Sequence, residues 1–180
     1  MKFHSLCLIG LLPLTLSATA AELASPATPA AAPAAAPAPQ PAARGPALAL
    51  AIEAAQKALE TCKGLDQKVS VSVLDSGSAL KVVLASDGAS PRGVQSSANK
   101  AITALAFNTS SAKVADLAKT DTVIAGKLAA NPNFNTHAGA VLIKVGNDVI
   151  GAIGVGGAKG SEKDEACAIA GLEKIQNKLS

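Results

Sequence analysis

The sequence predicts an α+β domain built on an antiparallel sheet, and three observations lead there. The strands come as two hairpins, each with turn residues between its arms. Helical patterns stand before, between and after the hairpins, rather than alternating strand by strand as a parallel sheet requires. The clearest strand, Lys68–Leu74, sets Val69, Val71 and Val73 against Ser70 and Ser72, the period-two pattern of a strand with one buried face.

The elements follow in order. Over Ala47–Lys63, Leu50, Ala54, Ala58 and Cys62 recur on one helical face, and Gly64 ends the helix. Lys68–Leu74 and Leu80–Ala85 flank the turn residues Asp75-Ser76-Gly77-Ser78, giving the first hairpin. Asp87–Pro91 breaks the chain, and a helix is expected from Val94 or Gln95 to Phe107, with Ala98, Ile102, Leu105 and Ala106 on its apolar side. Two short helices are expected at Ser111–Lys119 and Thr122–Ala130, the second after the capping candidate Asp121. Asn131–Gly139 is loop, with Pro132 and three asparagines. Ala140–Val145 and Asp148–Val155 form the second hairpin around Gly146-Asn147. Ser161 then precedes Asp164 by three residues, the spacing of a capping box, and opens a final helix over Glu162–Lys178. One sheet covered on one face by the terminal helices is the expected packing.

The domain does not begin at Met1. Lys2, the apolar run Leu6–Leu16 and Ala18-Thr19-Ala20 form the three parts of a secretory signal peptide over residues 1–20. The run is too short for a membrane span, and no cysteine follows it closely, so no stable membrane anchor is expected. Residues 21–46 are dominated by Ala and Pro and lack the large apolar groups needed to fold, which predicts a disordered, polyproline-like linker. Residues 47–180 form one domain, long enough to bury a core. Cleavage near Ala20 would deliver the mature chain to the periplasm or the exterior.

Several function classes are excluded. Loss of Lys2 takes the formal charge from +3 to about +2, with both signs interspersed. The mature chain has Phe107 and Phe134 but neither Trp nor Tyr, so stacking platforms and a phosphate-tracking stripe for nucleic acid are missing. Cys62 and Cys167, an even pair in an oxidising compartment, read as a disulfide, with two separate buried thiols as the alternative. Gly154-x-Gly156 invites a dinucleotide-binding reading, but Lys159 stands where the third glycine belongs. Ser97 and Lys100 share a helix face; a lone Ser-x-x-Lys does not establish a nucleophile, and a solvated face explains it as well. No catalytic residue is assigned, and a turnover enzyme is not the expectation.

Four stretches carry a family resemblance: a first helix, Val69–Ala89 (VSVSVLDSGSALKVVLASDGA), Ser96–Phe107 (SSANKAITALAF) and Ile150–Ile175 (IGAIGVGGAKGSEKDEACAIAGLEKI). Together they resemble the GlcG/HbpS-like family, whose best-known members bind haem. The resemblance implies a profilin-like fold, an antiparallel sheet flanked by N- and C-terminal helices, and assembly as a homo-oligomer. Carried over by position, the family's pocket and turn motif would fall on Asp75, Gly77, Asp87, Gly88, Ser97, Lys100, Gly154, Gly156, Asp164 and Glu165. Haem needs an axial donor and often cations for its propionates. His137, the one mature histidine, is the candidate axial ligand and metal contact, and Lys100 or Arg92 the propionate partner. The expected function is an exported haem-binding protein for storage, transfer or sensing. The alternative is a binding module or enzyme for a small anionic metabolite, using the Ser97/Lys100 helix face and the Gly154–Ser161 turn.

Overall fold

Residues 42–180 are described by the computed structural model; the expected signal peptide, and the Ala/Pro stretch as far as Pro41, lie outside the described residues. The order is α1 (Leu48–Gly64), β1 (Ser70–Asp75), β2 (Leu80–Ala85), α2 (Pro91–Phe107), α3 (Ser111–Leu117), α4 (Thr122–Ala130), β3 (Ala140–Val145), β4 (Asp148–Gly156) and α5 (Ser161–Gln176). Among the described residues no helix is long and apolar enough to cross a membrane. Both expected hairpins form, and β1 pairs antiparallel with β4 from Ser70↔Gly156 to Asp75↔Gly151, which joins them into one sheet of order β2-β1-β4-β3.

One face of that sheet packs on the terminal helices. Val69, Val71, Val73, Ile153 and Val155 meet Ala51, Ala54 and Ala58 of α1 and Ala168 and Ile175 of α5. Small residues let the two helices approach: a Cβ on Gly171 would lie 2.6 Å from the Ala54 carbonyl oxygen. Cys62 and Cys167 are joined by a disulfide across 105 residues of chain, tying the end of α1 to the second turn of α5. The linker's last residues also touch the domain: Arg44 N donates to Ser76 Oγ, and its guanidinium meets Asp148 at 2.7 Å.

The other face departs from expectation. It is covered as well, by α2, whose Ala101 and Ala104 pack on Leu74, Ala140, Leu142 and Ala152. Ser70 and Ser72 are therefore buried, not solvated. Ser72 Oγ lies 2.7 Å from Ser97 Oγ, whereas Ser70 Oγ has no hydrogen-bond partner. Polar strand residues misdirect the reading here because the covering helix satisfies one hydroxyl from its own side.

Two helix starts also differ. α2 begins at Pro91, three or four residues ahead of the expected start, because Ser90 Oγ accepts from Gly93 N at 3.1 Å and proline is well placed in a first turn. α5 has Gly160 at its N-cap, with φ 108°, and no side-chain cap. The Ser161–Asp164 capping box is not formed, since the Asp164 carboxylate turns inward to a different partner.

Candidate ligand cleft between two helix starts

The glycines of β4 fix the position of α2. A side chain at Gly154 would collide with the Ser97 carbonyl oxygen, and one at Gly156 would lie 2.7 Å from Ser97 N. Close backbone approach is thus the use of Gly154 and Gly156, and neither faces a ligand cavity. Ser97 is consumed by the same contact. Its Oγ donates to Val94 O at 2.8 Å and shares a hydrogen bond with Ser72.

With α2 seated in this way, Lys100 reaches under the chain to α5. Its Nζ lies 2.7 Å from Asp164 Oδ2 and donates to Val155 O at 3.1 Å. The two side chains are 3% and 4% exposed, so the pair is desolvated and each charge depends on the other. Asp164 Oδ1 accepts from Ala158 N at 3.0 Å, which holds the strand-to-helix turn. Gly139 lies over the pair: with φ 136°, it would set a Cβ 2.8 Å from Lys100 Nζ and 2.9 Å from Asp164 Cβ.

Gly139 also ends the loop that carries His137. That loop is pinned through its backbone. His137 N donates to Asn135 Oδ1 at 3.1 Å, and His137 O accepts from Ser111 Oγ at 2.8 Å. Asn135 Nδ2 in turn donates to Ser96 Oγ at 3.0 Å. The His137 side chain is exposed, and its ring nitrogens have no hydrogen-bond partner among the described residues.

These elements enclose a polar cleft of about 330 Å³, with Lys100 and Asp164 at its floor and Arg92, Ser96, His137 and Ser161 around it. Of the residues expected from sequence, Arg92, Lys100, His137 and Asp164 come together here. Asp75 does not: its Oδ1 accepts from Gly77 N and Ala79 N, both at 2.9 Å, so it organises the first hairpin turn at the opposite end of β1. Asp87 lines a separate groove of about 430 Å³ with Leu59, Lys63 and Lys68. Ser96 joins the cleft without being singled out from sequence, and Ser161 joins it from the expected Gly154–Ser161 turn. The first has its neighbour Ser97 as the better Ser-x-x-Lys candidate, and the second reads as a helix cap.

The donor set bears on haem as follows. His137 is a free imidazole on an open rim, and Arg92 is an exposed guanidinium beside the same cleft. Lys100, the other expected propionate partner, is already neutralised by Asp164. The lining is polar and too small to enclose a macrocycle, so these residues fit a haem held at its edge rather than one sunk in an apolar slot. Among the described residues, no three His, Cys, Asp or Glu side chains converge as a metal cluster.

A family model described as "Haem degrading protein HbpS-like" matches residues 47–173. Among solved structures, a double mutant of HbpS from Streptomyces reticuli is 32% identical, covers 81% of this chain and 97% of its own, and superposes with a TM-score of 0.66. Protein ORFY of Klebsiella pneumoniae is 21% identical, with coverage of 81% and 100% and a TM-score of 0.69. The PduOC–haem complex is 20% identical, with coverage of 73% and 95% and a TM-score of 0.66; these last two are likenesses of fold. No relative is found among curated protein sequences.

Proposed function

The chain belongs to the HbpS-like family, and from that premise we propose that it is an exported haem-binding protein serving storage, transfer or sensing. Its family supports the haem, and the rim of the cleft supports the place. The observation that carries the reading is His137, the single imidazole of the mature chain, exposed on a backbone-pinned loop beside Arg92. Bound haem would supply an iron centre able to take a nitrogen donor. This chain would supply an imidazole nitrogen as axial donor and, from Arg92, a charge-assisted hydrogen bond to a propionate.

Export rests on the three-part leader of residues 1–20 and fits a domain stapled by a disulfide. Self-association is part of the same proposal. α4 has no buried residue and exposes Val123 at 65%, which offers an apolar surface to a second copy.

A hemin titration followed at the Soret band tests the reading. The mature protein is expected to show saturable binding with a shifted band, and His137→Ala to weaken it by about tenfold or more, the cost of one lost axial bond. Absence of saturable binding would defeat the proposal, while unchanged binding by His137→Ala would remove the axial assignment. The family's description speaks of haem degradation, and the same samples report on that: decay of the Soret band after binding would add turnover.

A further inference from the structure

We propose that the cleft is a binding site for a carboxylate monoanion. The lining side chains have hydrogen-bond donors to spare and one unpaired cation, but no free carboxylate. Lys100 Nζ has three N–H bonds, of which Asp164 and Val155 O take two. Ser96 Oγ already accepts from Asn135, and Ser90 Oγ from Gly93 N, which leaves each hydroxyl its proton to give. Ser161 brings another hydroxyl. The one carboxylate present, Asp164, has both oxygens committed, to Lys100 and to Ala158 N. No carboxylate in the lining is left free to pair with a cationic guest, whereas Arg92 has a charge to offer an anionic one.

Charge and size narrow the class further. Lys100 and Asp164 cancel, so Arg92 leaves a formal charge of +1, which one carboxylate balances and a phosphate dianion exceeds. Arg92 forms no ion pair among the described residues, and its planar fork suits the two oxygens of a carboxylate. At about 330 Å³ the cleft accommodates a short organic acid or the acid arm of something larger. Gly139 packs directly against the floor, where a Cβ would lie 2.8 Å from Lys100 Nζ. The site therefore keeps Lys100 and Ser161 of the arrangement expected from sequence and changes the rest: Ser97, Gly154 and Gly156 hold α2 in place, and Ser96 and Arg92 join Lys100 and Ser161 in facing the guest.

Two sources share this chemistry, a free organic acid and a haem propionate. Sodium propionate is the first probe, followed by backbone amide shifts in the full mature protein. Saturable shifts at Ser96, Gly157 and Ser161 are expected. Arg92→Ala should weaken binding by about tenfold, and Arg92→Lys by less, because a charge-assisted fork is lost in one and a point charge kept in the other. Arg92 is exposed, so its variants are expected to retain the fold. No saturable shift at those amides, propionate binding indifferent to Arg92→Ala, or tighter binding of inorganic phosphate than of propionate would each overturn the proposal. Hemin and hemin dimethyl ester then separate the sources: weaker binding of the ester assigns the cleft to the haem propionate, and equal binding to a free acid. Propionate binding does not require hemin to bind, nor the reverse, so the two readings fail separately.

Discussion

Lys100 and Asp164 lie at the centre of the molecule's polar chemistry, and neither acts as its sequence position suggests. Asp164 reads as the acidic end of a capping box and Lys100 as a cation on a solvated face. Each is instead the other's buried counter-charge, 64 residues away along the chain. Spacing along one element cannot reveal such a pair, because the approach depends on Gly154 and Gly156 admitting α2 to the sheet. Breaking a buried pair strands a charge, so Lys100→Met alone is expected to cost about 3–5 kcal/mol in urea unfolding. Adding Asp164→Leu should restore part of the loss; a double variant as unstable as the sum of the two singles would contradict the pairing account. Ser70 gives the opposite sign. Its hydroxyl is buried with no partner, so Ser70→Ala should leave stability unchanged or raise it by up to about 1 kcal/mol, and a clear loss would show that the hydroxyl is satisfied.

At the scale of elements, the helices at the two ends of the domain are legible and their mutual fastening nearly so. The alanine-rich faces of α1 and α5 announce close packing, and the even cysteine pair behind an expected leader announces the bond that holds them. The bond lies one turn beyond Asp164, so it also steadies the start of α5 at the cleft. Replacing both Cys62 and Cys167 by Ser is expected to cost about 2–5 kcal/mol, with the reduced wild type falling to the same unfolding midpoint as the variant. A reduced protein as stable as the oxidised one would contradict a structural role. α2 is the element that sequence patterning places least well. Its proline start resembles a break, and the strand serines beneath it resemble a wet face; both are resolved by contacts from a different part of the chain.

The molecule as a whole is an antiparallel sheet enclosed between α1 and α5 on one side and α2 on the other, with its cleft where the starts of α2 and α5 meet the His137 loop. The two hairpins and their flanking helices follow from period and turn chemistry, which are local. The cleft does not, because its lining comes from residues 90 to 164 and depends on all the packing between them. The family relation and the sheet agree on the fold; the central claim is that haem sits against the His137 side of this cleft. Paramagnetic broadening of backbone amide signals by bound ferric haem tests that claim most directly. The account predicts selective loss of signals from Arg92, Ser96, His137 and Gly157, with those of the Asp75–Ala79 turn at the opposite end of β1 preserved. Broadening centred on that turn, or on the groove beside Asp87, would contradict it.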